Sequence, residues 1–137
     1  MFKLYLLPLV LLGGLAIGLI AGLVCYGAVI VKSRTRLDDS LDVIGIHGVG
    51  GFLGALLTGV FATTVVNPNG QNGLLSGNPA QLGIQLVGAL VTLAYSFVVS
   101  LALAKLVDAL VGLRAPADDE VIGIDYTEHA ERGYALY

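Results

Sequence analysis

Tryptophan is absent from these 137 residues, cysteine and methionine occur once each, histidine occurs twice, and charged side chains make up only 12% of the chain. A lone cysteine, Cys25, excludes an internal disulfide and any cysteine-based metal cluster. So little charge beside 56% hydrophobic residues excludes an ordinary soluble globule. The seven Lys and Arg residues form no basic stripe, and the net charge of −3 comes mainly from the C-terminal tail, so nucleic acid is not an expected partner. No nucleophile, metal-ligand set or phosphate loop is present, and neither an enzymatic activity nor a metal or cofactor is expected.

What the chain does have is three uncharged apolar runs, Leu4–Val31, Val43–Val66 and Ala80–Ala104. Each is long enough to cross a hydrocarbon core of about 30 Å at about 1.5 Å per helical residue. The prediction is an all-α membrane protein in a lipid bilayer, with helices over about 5–31, 41–66 and 81–113, a membrane region over 1–114 and a tail over 115–137. Nineteen glycines suit close packing of membrane helices, and Gly14, Gly18 and Gly22 line one stripe of the first span, against which a neighbouring helix is expected. Pro8 falls in the first turns, where its missing amide donor costs nothing. A secretory signal is the rival reading of this segment; its apolar run is twice the usual length and lacks a small-x-small cleavage site.

Lys32, Arg34 and Arg36 follow the first span, whereas the second loop, Asn67–Pro79, holds no basic residue. By the positive-inside bias the first loop is cytoplasmic, which puts the N-terminus outside and the tail inside a multi-pass cell-membrane protein. The clusters Asn67-Pro68-Asn69-Gly70 and Gly77-Asn78-Pro79 read as turns of a solvated outer loop. Lys105 and Asp108, three apart near the end of the third span, are expected to pair. Beyond Ala115-Pro116 the acidic tail reads as disordered or docked on a partner, and its His129 as a surface residue without a metal partner.

His47 is the titratable ring in the middle of the second span, and a polar ring at bilayer depth is expected to face a protein interior or a pore. Val43, His47, Gly50, Gly51, Gly54 and Thr58 are spaced to share a face, with the glycines available for helix packing. Asp39 and Asp42 precede the span and read as structural residues of its N-terminus, capping free amides. From the residues alone two readings of His47 compete. One is a small, non-transporting membrane protein, structural or regulatory, in which the ring is an interhelical hydrogen bonder; the other is a ring that lines a pore.

The run Asp38-Asp39-Ser40-Leu41-Asp42-Val43-Ile44-Gly45-Ile46-His47-Gly48-Val49-Gly50-Gly51, continued by Leu57-Thr58-Gly59-Val60-Phe61-Ala62, resembles the tenth helix of ammonium transporters of the Amt/Mep/Rh family. Lys105-Leu106-Val107-Asp108 with Val111-Gly112-Leu113-Arg114 resembles the end of that family's eleventh helix, and Gly123-Ile124-Asp125 with Glu128-His129-Ala130-Glu131-Arg132 resembles its cytoplasmic tail.

The resemblance implies a partial ammonium-transporter fold. His47 falls at the second of two midplane histidines of a narrow hydrophobic pore and Val43 at a pore-wall position, with ammonium or ammonia as the solute. It further implies a homotrimer, completion of the pore by the remaining transporter helices, and a tail whose Gly123 and Asp125 help it dock under a neighbouring subunit and regulate transport. A PII-type signalling protein is a partner of some family members. The outer recruitment site, where this chain has no tryptophan to offer, belongs to the missing part, so the chain reads as a C-terminal portion with Met1 an internal start.

Overall fold

The computed structural model describes residues 6–131, and its three membrane-length helices begin within the apolar runs of the sequence. Helix α1 spans Leu7–Ser33, with Pro8 in its first turn, so the expected start at Tyr5 lies outside the described residues. It ends where Arg34, Thr35 and Ser33 fold back on the last turn. The Arg34 amide donates to the Val31 carbonyl at 3.1 Å, and the Ser33 and Thr35 hydroxyls donate to Ile30 and Lys32 carbonyls at 2.8 and 2.7 Å.

The second span opens with a five-residue π-helical turn, Ile44–Gly48, which continues as α2, Val49–Phe61. Together, Ile44–Phe61 gives 18 residues, about 27 Å at 1.5 Å per residue, against the longer 41–66 expected. At the near end Asp42 sits at a left-handed φ of 55° and stops the helix from extending back. At the far end Ala62 turns to an extended ψ of 140°. The chain then folds across the end of α2: the Gly73 amide donates to the Ala62 carbonyl at 2.7 Å, the Ser76 hydroxyl to the same oxygen at 3.1 Å, and Asn72 Oδ1 accepts both the amide (2.8 Å) and the hydroxyl (3.1 Å) of Thr64. A 3-10 turn over Leu74–Ser76 and a left-handed Gly77 lead into α3, Ala80–Val111. These 32 residues cover about 48 Å, more than a bilayer core needs.

By its internal contacts the chain divides at Leu93/Ala94, within α3. In the first unit α1 packs against the π-turn and α2, and α2 meets the start of α3 at Gly59, where an added Cβ would stand 3.0 Å from Leu82 Cα. Among the described residues Leu57 is the buried apolar side chain; long rows of Leu, Val and Ile on α1 and α3 are exposed, as expected of surfaces made for lipid or further helices. All three long helices are long and apolar enough to cross a membrane.

In the second unit α3 ends at Gly112, whose φ of 76° swings the chain back so that the Leu113 amide donates to Asp108 Oδ1 at 3.0 Å. This corrects the expected Lys105–Asp108 pair, because the Asp108 carboxylate serves the helix end and no ion pair joins it to Lys105 among the described residues. The tail holds two short helices, α4 (Ala117–Ile122) and α5 (Ile124–His129), joined by Gly123 at φ 112°. Arg114 grips Glu120 through both guanidinium edge nitrogens, at 2.9 and 3.1 Å.

Candidate functional site

His47 is the fourth residue of the π-turn, and the turn's geometry follows from what holds each side of it. At its start the Asp39 carboxylate accepts the amides of Val43 (2.8 Å) and Ile44 (2.9 Å), two of the donors that a helix start leaves free. On the α1 side, Gly45 is buried so tightly that a Cβ would lie 3.1 Å from Val29 Cγ2 and 3.4 Å from Val29 N. One residue before His47, the Ile46 carbonyl accepts the Cys25 thiol at 3.8 Å, a long contact suited to sulfur. The widened turn is therefore anchored on its packed side. Single π-turns inside α-helices recur at functional sites.

The opposite side is open. Val43 and His47 are exposed, and Gly51 and Gly54 have no atom within 4 Å of a would-be Cβ, so these four lie along an unpartnered face. Gly50 departs from them: its would-be Cβ stands 3.0 Å from Cys25 Sγ, on the α1 side. Among the described residues no hydrogen bond reaches either ring nitrogen of His47. Asp42 does not approach the ring; its Oδ1 lies 2.6 Å from Lys32 Nζ. A Cβ added at Gly14, Gly18 or Gly22 would likewise meet nothing within 4 Å, so the helix neighbour expected along that stripe is not found among the described residues.

A cleft of about 760 Å³ lies toward the other end of the same unit, lined by residues including Gly13, Gly14, Phe61, Thr63, Gln71 and Gln85. Neither His47 nor Val43 lines it. The chemistry-bearing residue and this cleft are thus separate features. No cluster of metal-ligating side chains occurs among the described residues.

The family model described as Ammonium Transporter Family matches residues 9–134. The chain belongs to the ammonium transporter family. Its curated relatives include ammonium transporter Amt1 of Archaeoglobus fulgidus, 46% identical over 122 residues that make up 89% of this chain and 31% of that protein. The ammonium transporter of Bacillus subtilis is 40% identical over 119 residues, 86% of this chain and 30% of the relative, and that of Aquifex aeolicus is 43% identical over 127 residues, 92% and 29%. The chain thus spans about three-tenths of the length of these transporters. This is a transport family rather than an enzyme family, and its members and the three spans make this a membrane protein.

Two features of the site escaped sequence reasoning. The π-turn adds one residue to a turn and leaves no periodic trace in five residues, although Gly45 and Gly48 are a faint signal of a non-standard backbone. Lys32 offered only a topology signal, and its pairing with Asp42 across the first loop depends on how α1 and the π-turn dock.

Proposed function

We propose that this chain takes part in ammonium/ammonia translocation, with His47 as the polar group of the pathway and Val43 in its wall, once the remaining helices of a transporter enclose the open face. The observation that carries this reading is an exposed imidazole, without a partner among the described residues, set on a π-turn beside a small-residue face, in a chain of the ammonium transporter family. Gly51 and Gly54 on that face leave room for a neighbouring helix or a narrow passage, and Gly50 sets the approach of α1.

Ammonium is close to potassium in size, so a passage selected by fit alone would admit both. Deprotonation separates them. An imidazole with one donor and one acceptor nitrogen can hold ammonia or relay a proton while giving a bare cation little to replace its water.

The same reading puts Lys32–Ser40 and the tail in the cytoplasm and Asn67–Pro79 outside, assembles the chain as a homotrimer, and assigns Gly123 and Asp125 to tail docking, with a PII-type signalling protein as a partner at the cytoplasmic mouth. Asp39 and Asp42 are structural in it. The test is growth on low ammonium of cells lacking ammonium uptake, given the chain alone or together with the helices that precede the matched region in the Archaeoglobus relative. Growth restored only by the combination, and lost with His47→Ala, is the expected result; equal growth with and without His47 overturns it.

A further inference from the structure

We propose that Lys32, on α1, is a positioning residue for His47, acting through Asp39 and Asp42 to hold the π-turn in register. This deepens the translocation reading and rests on it for its functional consequence, although the mechanical link stands on contacts alone. Lys32 Nζ donates to the Asp39 backbone carbonyl at 2.7 Å and lies 2.6 Å from Asp42 Oδ1. That oxygen is shielded from solvent, and the ammonium meets it off the hydrogen-bonding direction, so the contact is an ion pair and the carboxylate has no aligned donor among the described residues. Removing the lysine would leave a buried carboxylate oxygen without its countercharge.

Both carboxylates lead directly into the turn. Asp39 holds the amides of Val43 and Ile44, while the Asp42 carbonyl accepts the Ile46 amide at 2.9 Å. Asp42 also occupies a left-handed conformation, which costs an L-residue energy and persists where the surroundings impose it. Lys32 is the group that ties those two residues to α1. A π-turn differs from an α-turn by one residue of register, so a clasp at its first amides decides how the turn is wound and where the side chain at its fourth position points. The direction of the His47 ring is thereby set from α1, fifteen residues earlier in the chain.

The experiment uses the full chain in bilayer discs and compares wild type with Lys32→Met, which keeps the aliphatic stem, and Lys32→Arg, which keeps the charge. His129→Gln is carried throughout, so that His47 gives the imidazole signals. Lys32→Met is expected to speed exchange of the Val43 and Ile44 amides by about tenfold and to move or split the His47 ring resonances, with Lys32→Arg restoring both. Unchanged exchange and ring signals in Lys32→Met overturn the proposal, as does a failure of Lys32→Arg to restore them. Should Lys32→Met lose helicity, Asp42→Asn is judged by the same two readouts.

Ammonium uptake by the chain combined with its upstream helices separates the two claims. His47→Ala without effect on uptake sinks the translocation reading while leaving the ring measurements to decide the clasp. Loss of uptake in His47→Ala, with apparent affinity, maximal rate and ammonium-over-potassium preference all unchanged in Lys32→Met, sinks the clasp alone.

Discussion

Gly59 of α2 and Leu82 of α3 come so close that a Cβ at residue 59 would stand 3.0 Å from the Leu82 Cα and 3.0 Å from Gln85 Cγ. Backbone cannot step aside as a flexible side chain can, so Gly59→Ala must separate the two helices. Overpacking of this kind costs about 1–3 kcal/mol. Denaturation of the chain in mild detergent should register that loss for Gly59→Ala and almost none for Gly51→Ala, whose Cβ would meet nothing within 4 Å. Equal effects at the two positions would contradict the packing described.

In the loop after α2 one side-chain oxygen takes two donors. Asn72 Oδ1 accepts both the amide and the hydroxyl of Thr64, and Asn72→Ala leaves two part-buried donors without it. A lost hydrogen bond of this kind is worth about 1 kcal/mol, so exchange of the Thr64 amide should rise several-fold while that of α3 amides stays the same. An unaltered Thr64 rate would show that the loop is held by other contacts.

In the tail, the hydrogen bonds from Arg114, and then its charge, hold the Glu120 carboxyl below its ordinary value of 4.5. A lowered folded value means that the contact's contribution is present above 4.5 and fades as the pH falls from there through the folded value, because the unfolded tail takes up its proton first. NMR titration of Glu120 should therefore show a midpoint under 4.5 that moves up in Arg114→Gln. A midpoint indifferent to that substitution would remove the pair as the cause.

Topology is open to labelling. With Cys25 changed to Ala, a cysteine at Asn69 should react with a membrane-impermeant thiol reagent on intact cells, and one at Ser40 only after permeabilisation. The reverse pattern would invert the proposed orientation.

Much of the fold was legible because hydrophobic length is a coarse, robust signal: runs of more than twenty apolar residues admit few structures besides spanning helices. The ends of those helices were harder to read. Residues 62–66 are as apolar as the helix before them, yet Ala62 breaks out because its carbonyl is taken by Gly73 and Ser76, from a loop whose path no local pattern announces. His47 stood out as the titratable residue in an uncharged run. The wide turn that carries it did not, since beside the local bonds from Asp39 it is met by contacts that depend on how α1 docks: Val29 against Gly45, and Lys32 against Asp42. Gly50 was grouped with Gly51 and Gly54 by spacing; the structure sets it against Cys25 instead, because the π-turn and the approach of α1 together decide which glycine is covered.

The most direct measurement is the initial rate of ammonium uptake by cells that make this chain together with the upstream helices of the Archaeoglobus relative, with His47 intact or replaced by alanine at matched membrane abundance. The account predicts a loss of about tenfold or more, which corresponds to about 1.4 kcal/mol of barrier, together with a weaker preference for ammonium over potassium. Uptake and preference both unchanged without the imidazole would contradict it.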